Sequence, residues 1–405
     1  MAALPNLGQA VQEALSDSKI DQAKLQGKNI ALTVGSRGIA NLPLLVRAVG
    51  EWLKASGARP FIVPSMGSHG GATPAGQQKV LAEYGITEKE VEIPIRSQMN
   101  AVHLGNTSEG FDVFMDQLAY ESDGVVIFNR IKPHTDFSGR TESGWLKMLA
   151  IGLGKVQGAR TCHRYCRQYG YEKSIRAIGS YSVASGKILC ALGVIENEEH
   201  EICAVRSALP NNLIKREEEA LVLARKLLPR LPFRDIDLLI VDQLGKNISG
   251  TGFDTKVIGR GVPLKPNEAP KIKLIYLRDI TPESEGNALG IGMADFIHER
   301  CFHKIDLKKT YINTQAALNP PMATLPMHFP SDGEAIRFAV NVLGGNNKSH
   351  SRVVWIKNTL LLSEIFASES LLSNDSFPGG YSRVQSTITQ PFDTDDNLIP
   401  VWERG

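Results

Sequence analysis

The chain has 405 residues, 42% of them hydrophobic, with 45 basic against 43 acidic side chains. That length exceeds one small core and points to two domains. A nearly neutral balance gives no electrostatic ground for binding nucleic acid or an anionic membrane, and neither is expected as a partner.

The first residues, MAALPNLGQAVQEAL, hold no basic segment followed by a long apolar run, so no signal peptide is expected. KNIALTV (28–34) reads as a strand and NLPLLVRAVGEWLKASG (41–57) as a helix closed by glycine. RPFIVPS (59–65) is again strand-like. TPAGQQKVLAEYG (73–85) is a helix with Thr73 as N-cap and Pro74 at its first position. EKEVEIPI (88–95) reads as a weaker strand and DGVVIFN (123–129) as a strong one. LIKREEEALVLARKLL (213–228) is a connecting helix whose interleaved charges suggest a solvated face. The pattern then restarts with strands at 235–245 and 271–279, a helix over 285–301, a helix over 331–345 and a strand over 351–358. The end, QPFDTDDNLIPVWERG, reads as a polar surface segment. Strands alternating with helices imply two α/β domains with parallel or mixed sheets flanked by helices, divided as 1–205 and 206–405. No apolar stretch is long enough to span a bilayer. Cys162, Cys166, Cys190, Cys203 and Cys301 are too few and scattered for a disulfide framework and suit reduced thiols in the cytoplasm.

Polar residues and glycines cluster after the strands. The first strand runs into Gly35-Ser36-Arg37-Gly38, the second into Gly67-Ser68-His69-Gly70-Gly71, and DGVVIFN into Lys132-Pro133-His134. In the second half, Gly245-Lys246-Asn247 follow a strand in the same way. Parallel strands point one way, so Arg37, His69 and His134 should converge outside their carboxyl ends, where open α/β sheets bind ligands. Each residue taken singly also fits an ordinary surface or turn role.

Several chemistries fail on spacing. GLGKVQG (152–158) resembles a phosphate loop, but Lys155 is followed by Val156 rather than the hydroxyl residue that meets magnesium. No G-x-G-x-x-G follows the first strand, which disfavours an ordinary nicotinamide dehydrogenase. Cys162, His163 and Cys166 could begin a zinc site, but no second cluster completes it. Neither H-E-x-x-H nor G-x-S-x-G is present. Two histidines acting as acid and base remain, which suits inversion at a carbon. The α-hydrogen of a 2-hydroxy acid is hard to remove as a proton, and its removal as hydride requires an electron-accepting cofactor.

VPSMGSHGGATPAG, IKPHTDFSG and the stretch from Lys147 to His163 together resemble the nickel-pincer-dependent lactate racemase family. The resemblance implies a first domain that holds cofactor and catalytic residues, a second that closes over the substrate, and an active site in the cleft between them. It implies His69 and His134 as the acid/base pair, Lys147 as the tether of a pyridinium-3,5-bisthiocarboxylic acid mononucleotide, and His163 as the nickel ligand. Arg37 matches an arginine beside cofactor and substrate. Ser36, Ser138 and Gly139 match positions that help hold the cofactor, and Lys256 matches a lysine on the substrate carboxylate. Lys155 competes with Lys147 as tether, although its spacing to His163 is short. The implied partners are an anionic small-molecule substrate and the proteins that make the cofactor, without which the chain would be apo.

Departures from the family pattern fall around the substrate. Val34 stands where an acidic residue usually lies three positions before the arginine, Arg140 breaks the glycine pair of the F-S-G-G turn, and Phe253 replaces a glutamine three positions before Lys256. They suggest a larger hydroxy acid or a sugar acid in place of lactate. Two other readings remain open: a zinc-dependent hydrolase or lyase using His69, His134 and His163, and a non-catalytic binder of an anionic metabolite using Arg37, Lys132 and Lys246.

Overall fold

The computed structural model describes residues 1–36, 38–135, 137–261, 269–317, 319–344, 351–372, 377, 381–383, 392–400 and 402. Its chain divides into two compact units, Met1–Leu228 and Pro229–Gly405, later than the 205/206 boundary suggested by the strand pattern. The helix that reads as a connector therefore belongs to the first unit, where its apolar stripe is buried.

The first unit runs α1 (Leu7–Asp17), β1 (Asn29–Val34), α2 (Leu42–Ala55), β2 (Arg59–Pro64), α3 (Pro74–Glu83), α4 (Glu88–Val91), β3 (Ala101–Asn106), β4 (Asp112–Asp116), α5 (Gln117–Glu121) and β5 (Gly124–Arg130). It continues through α6 (Trp145–Lys147), which passes directly into a π-helical turn (Met148–Gly152), then α7 (Lys155–Tyr169), α8 (Tyr171–Ala184), β6 (Ile188–Glu196), β7 (Ile202–Ala208) and α9 (Leu213–Leu227). The main sheet has the order β2-β1-β5-β6-β7. Its first four strands are parallel, and β7 closes the edge antiparallel to β6.

Alternation along the strands builds a core on each face of this sheet. Ile30, Leu32 and Val34 of β1 pack on the side of α2, whose Leu45, Val46, Val49 and Leu53 form its inner stripe. Ala31, with Val125 and Ile127 of β5, faces the side that holds Cys162, Ile175, Ile178 and Leu221 from α7, α8 and α9. Each fully buried aliphatic side chain contributes on the order of 1.5–3 kcal/mol. Thr73 caps α3 as expected, its hydroxyl accepting the Gly76 N–H at 3.0 Å. The segment 88–95, in contrast, is not a strand. Thr87 caps the short helix α4 through the Glu90 N–H, and Glu92 ends it in the left-handed region at φ 55°. The end of the segment meets the sheet at Ile62, whose N–H donates to the Pro94 carbonyl at 2.7 Å and which forms an isolated bridge with Ile95. The hairpin β3–β4 had no clear mark in the sequence.

The second unit contains β8 (Asp235–Leu244), α10 (Thr255–Ile258), β9 (Lys271–Ile280), β10 (Phe296–His298), α11 (Glu299–His303), α12 (Leu307–Ala317), β11 (Met327–Phe329), α13 (Asp332–Val342), β12 (Val353–Ile356) and β13 (Phe366–Ala367). Its sheet has the order β11-β10-β9-β8-β12-β13, parallel except for β13. The helix expected over 285–301 is absent. Gly286 and Gly290 take φ of 82° and 100°, and the segment turns before forming β10 and α11. The chain end is not simply a surface segment either. The Arg278 guanidinium donates to the Leu398 carbonyl at 2.6 Å, the Leu398 N–H donates to Asp332 at 2.8 Å, and the Trp402 indole donates to Asp242 at 2.5 Å. Among the described residues no helix is long and apolar enough to cross a membrane.

Candidate active site

From β1 the first unit's chain crosses to β2 on one side, and β5 joins β1 on the other. The strand order therefore reverses between β1 and β5, and the crevice beyond their carboxyl ends is the place where such a sheet binds ligands. Ser36 follows β1, His69 follows β2 and His134 follows β5.

Ser36 and His69 are brought together, the hydroxyl lying 2.5 Å from Nδ1 of the ring. The His69 loop rests on the helices behind it. Gly67, at φ 59°, donates its N–H to the Gly152 carbonyl at 3.0 Å. A Cβ at Gly67 would lie 3.1 Å from the Ala159 methyl and 3.2 Å from the Ile151 carbonyl, so glycine permits the close approach. The buried Gln77 amide donates to the carbonyls of Gly67 (3.0 Å) and His69 (3.4 Å), and its own carbonyl accepts from Lys155 at 3.1 Å.

His134 lies in a loop closed at its neck by two reciprocal backbone bonds between Lys132 and Ser143, 2.9 and 3.2 Å long. Inside, the buried Glu142 carboxylate accepts the His134 N–H at 2.5 Å and the Gly139 N–H at 3.1 Å. Arg225 of α9 donates to the same carboxylate at 2.5 Å and to the Gly139 carbonyl. The His134 ring lies against Phe137 (centroids 4.6 Å apart), which stacks on Tyr171. Ser138 and Gly139 occupy this loop, and a Cβ on Gly139 would meet the Glu172 carboxylate at 2.7 Å. Arg140, where the glycine pair is broken, points its guanidinium to Glu218 at 2.8 Å.

Lys147 is half-buried where α6 widens into the π turn, a geometry often found at functional sites. Glu217 of α9 sits behind this helix start and accepts the Leu146 N–H at 2.8 Å. Burial pushes its carboxyl up to about 7, against the pull of the Leu146 and Trp145 N–H groups. His163 is exposed on α7. Its neighbour Cys162 is buried with Cys166, their sulfurs 3.8 Å apart. The bond to Cys166, together with burial, raises the Cys162 thiol, and the Lys147 charge opposes that rise. Lys155, the competing lysine, is fully buried. Its ammonium pairs with Asp116 at 3.0 Å and donates to the Pro64 carbonyl at 2.7 Å. Burial lowers its pKa, and Asp116 counteracts this.

Arg37 lies outside the described residues. Lys256 is buried in the second unit on α10, whose start is fixed by the Asp254 N–H donating to Thr359 at 2.8 Å. Lys246 is in the same unit and donates to the Gly250 carbonyl at 2.5 Å. The supporting residues Glu142, Glu217, Arg225 and Gln77 were not singled out by the sequence. Only Glu217 leaves a local trace, as a carboxylate on the stripe Leu213, Glu217, Ala220, Leu221, Ala224.

The fold and crevice define a two-unit α/β protein with Ser36, His69 and His134 on strand-end loops of the first sheet. Residues 5–171, within the first unit, match the model of the lactate racemase N-terminal domain. The structure of the lactate racemase apoprotein from Thermoanaerobacterium thermosaccharolyticum superposes with a TM-score of 0.55 at 16% identity, over 89% of this chain and 93% of that one. At that identity the likeness bears on the fold. No curated protein matches the chain in sequence.

Proposed function

We propose that the protein is a racemase or epimerase of a 2-hydroxy acid that works with a nickel-pincer nucleotide tethered to Lys147. The reading is supported by the Ser36–His69 pair at the ends of β1 and β2 and by His134 in the loop after β5, within the stretch that matches the lactate racemase N-terminal domain. The residues fit the group. A pincer ligand brings its own carbon and sulfur donors, so one protein ligand, His163, suffices for the nickel. Lys147 is partly accessible, while Lys155 is buried in three polar contacts. When bound, the group would take the substrate's α-hydrogen as hydride and return it to either face.

His69 and His134 exchange the hydroxyl proton on the two sides of the substrate. The Ser36 hydroxyl beside Nδ1 orients the His69 ring, and proton exchange is assigned to Nε2. Ser36, Ser138, Gly139 and Arg37 hold the nucleotide, and Arg37 receives the substrate carboxylate. Val34, Arg140 and Phe253, which depart from the lactate pattern, favour a larger hydroxy acid or a sugar acid. A zinc hydrolase built on the three histidines would need them gathered as a cage. Among the described residues no three His, Cys, Asp or Glu side chains form one.

The test is to produce the chain beside the cofactor-making proteins, then measure nickel content and the mass of the Lys147 peptide. A nucleotide adduct on Lys147 with one nickel is expected, along with α-deuterium exchange on one member of a panel of D- and L-2-hydroxy acids and sugar acids. Unmodified Lys147 without nickel under those conditions would sink the proposal.

A further inference from the structure

The geometry points to Glu142, backed by Arg225, as the positioning residue for His134. This inference rests on reading His134 as a base but concerns a residue that touches neither substrate nor cofactor. Among its described residues, the loop from Lys132 to Ser143 contains no helix or strand beyond the bridge at its neck. A loop of that kind holds a side chain in place only if something inside it fixes the backbone. Glu142 does this with both carboxylate oxygens. Oε2 takes the N–H of His134 itself, and Oε1 takes the N–H of Gly139 and the Arg225 guanidinium.

The carboxylate side chain is fully buried, and such a charge persists in the interior only when paired and hydrogen-bonded. Arg225 provides the pairing from α9 and, through the Gly139 carbonyl, grips the same turn a second time. The backbone of His134 is therefore tied, through Glu142, to a helix residue 83 positions beyond that carboxylate. Phe137 and Tyr171 then confine the ring. Glu142 sets where the imidazole sits without taking part in proton transfer, and a misplacement of about 1 Å at such a group can cost on the order of 100-fold in rate.

The experiment compares Glu142→Ala, Arg225→Ala and Arg225→Lys by three measurements. The first is amide hydrogen exchange at His134 and Gly139 in cofactor-free protein. The second is the fraction of Lys147 carrying the adduct after co-production. The third is kcat and KM with the 2-hydroxy acid that shows the fastest α-deuterium exchange. Glu142→Ala should speed exchange at both amides by about tenfold or more and lower kcat by roughly 100-fold, with KM within about threefold and the adduct fraction unchanged. Arg225→Ala should fall between this variant and wild type, while Arg225→Lys, which keeps the charge, should recover most of kcat. Unchanged amide exchange in Glu142→Ala would overturn the assignment. So would an unchanged kcat, or a kcat loss matched by loss of adduct. If wild-type Lys147 carries no adduct, the functional reading fails, and the amide exchange still decides whether Glu142 holds the loop.

Discussion

The two units share an architecture, a mostly parallel sheet closed by one antiparallel edge strand, but they place their buried charges differently. In the first unit these charges stand behind the strand-end loops. Lys155 and Asp116 brace the His69 loop through Gln77, Glu142 and Arg225 brace the His134 loop, and Glu217 meets the start of the Lys147 helix. In the second unit several of them meet in one clamp, while Asp237 pairs apart from it with Arg352 and Lys273. Asp332 accepts from Tyr276, Arg278 and Arg300, and Arg278 also reaches Asp242, so that Asn397, Leu398 and Trp402 are drawn onto the sheet. A buried charge costs desolvation wherever it lies. The difference teaches that the first unit places this cost where loop geometry matters, and the second where a chain end must be held.

Three substitutions sharpen or break this contrast. The largest effect is expected for Lys155→Met, which strands the buried Asp116 and should cost about 3–5 kcal/mol in urea denaturation. It should also expose the Gly67 amide to exchange. A loss under about 1 kcal/mol would mean that the pair braces nothing. Next is Glu217→Gln, read as a function of pH. The folded carboxyl is raised from 4.5 to about 7, so the folded state holds a proton that the unfolded chain has released between those values. Stability is therefore greatest below about pH 4.5 and falls as pH rises through 7, by about 3 kcal/mol for this group. The variant should lose that slope and exceed wild type at pH 8, and parallel pH profiles would remove Glu217 from the account. The smallest effect is expected in the second unit. Trp402→Phe gives up the indole bond to Asp242 and should cost about 1–2 kcal/mol. An unchanged denaturation midpoint would show that the clamp does not depend on that bond.

The sequence made much of the first sheet readable, because β1, β2 and β5 are short apolar runs bounded by turn residues, and their order put Ser36, His69 and His134 at corresponding ends. It misled at 88–95 and 285–301, where a threonine cap in one case and two left-handed glycines in the other overrode the hydrophobic pattern. Long-range pairing was hidden for a different reason. Glu142 meets a guanidinium 83 positions away, Leu146 meets Glu217 across 71, and Lys155 meets Pro64 across 91, distances over which no periodicity operates. KREEEALVLARK read as a solvated face, and its charges do reach solvent on one side. Glu217 and Arg225 show that the other side of α9 supports the site.

The π turn at Met148–Gly152 and the left-handed Lys155 (φ 53°) have a consequence for how this protein can vary. On an unbroken helix, residues 147 and 163 would be about 24 Å apart along the axis and nearly half a revolution out of phase. The wide turn and the break after Gly154 change both the pitch and the phase between them. A Cβ at Gly152 would lie 2.5 Å from the Ser65 carbonyl and one at Gly154 2.9 Å from the Gly158 Cα, so neither glycine has room for a side chain, and an added or deleted residue would change the phase between Lys147 and His163. The stretch from 148 to 154 therefore behaves as a gear of fixed tooth count.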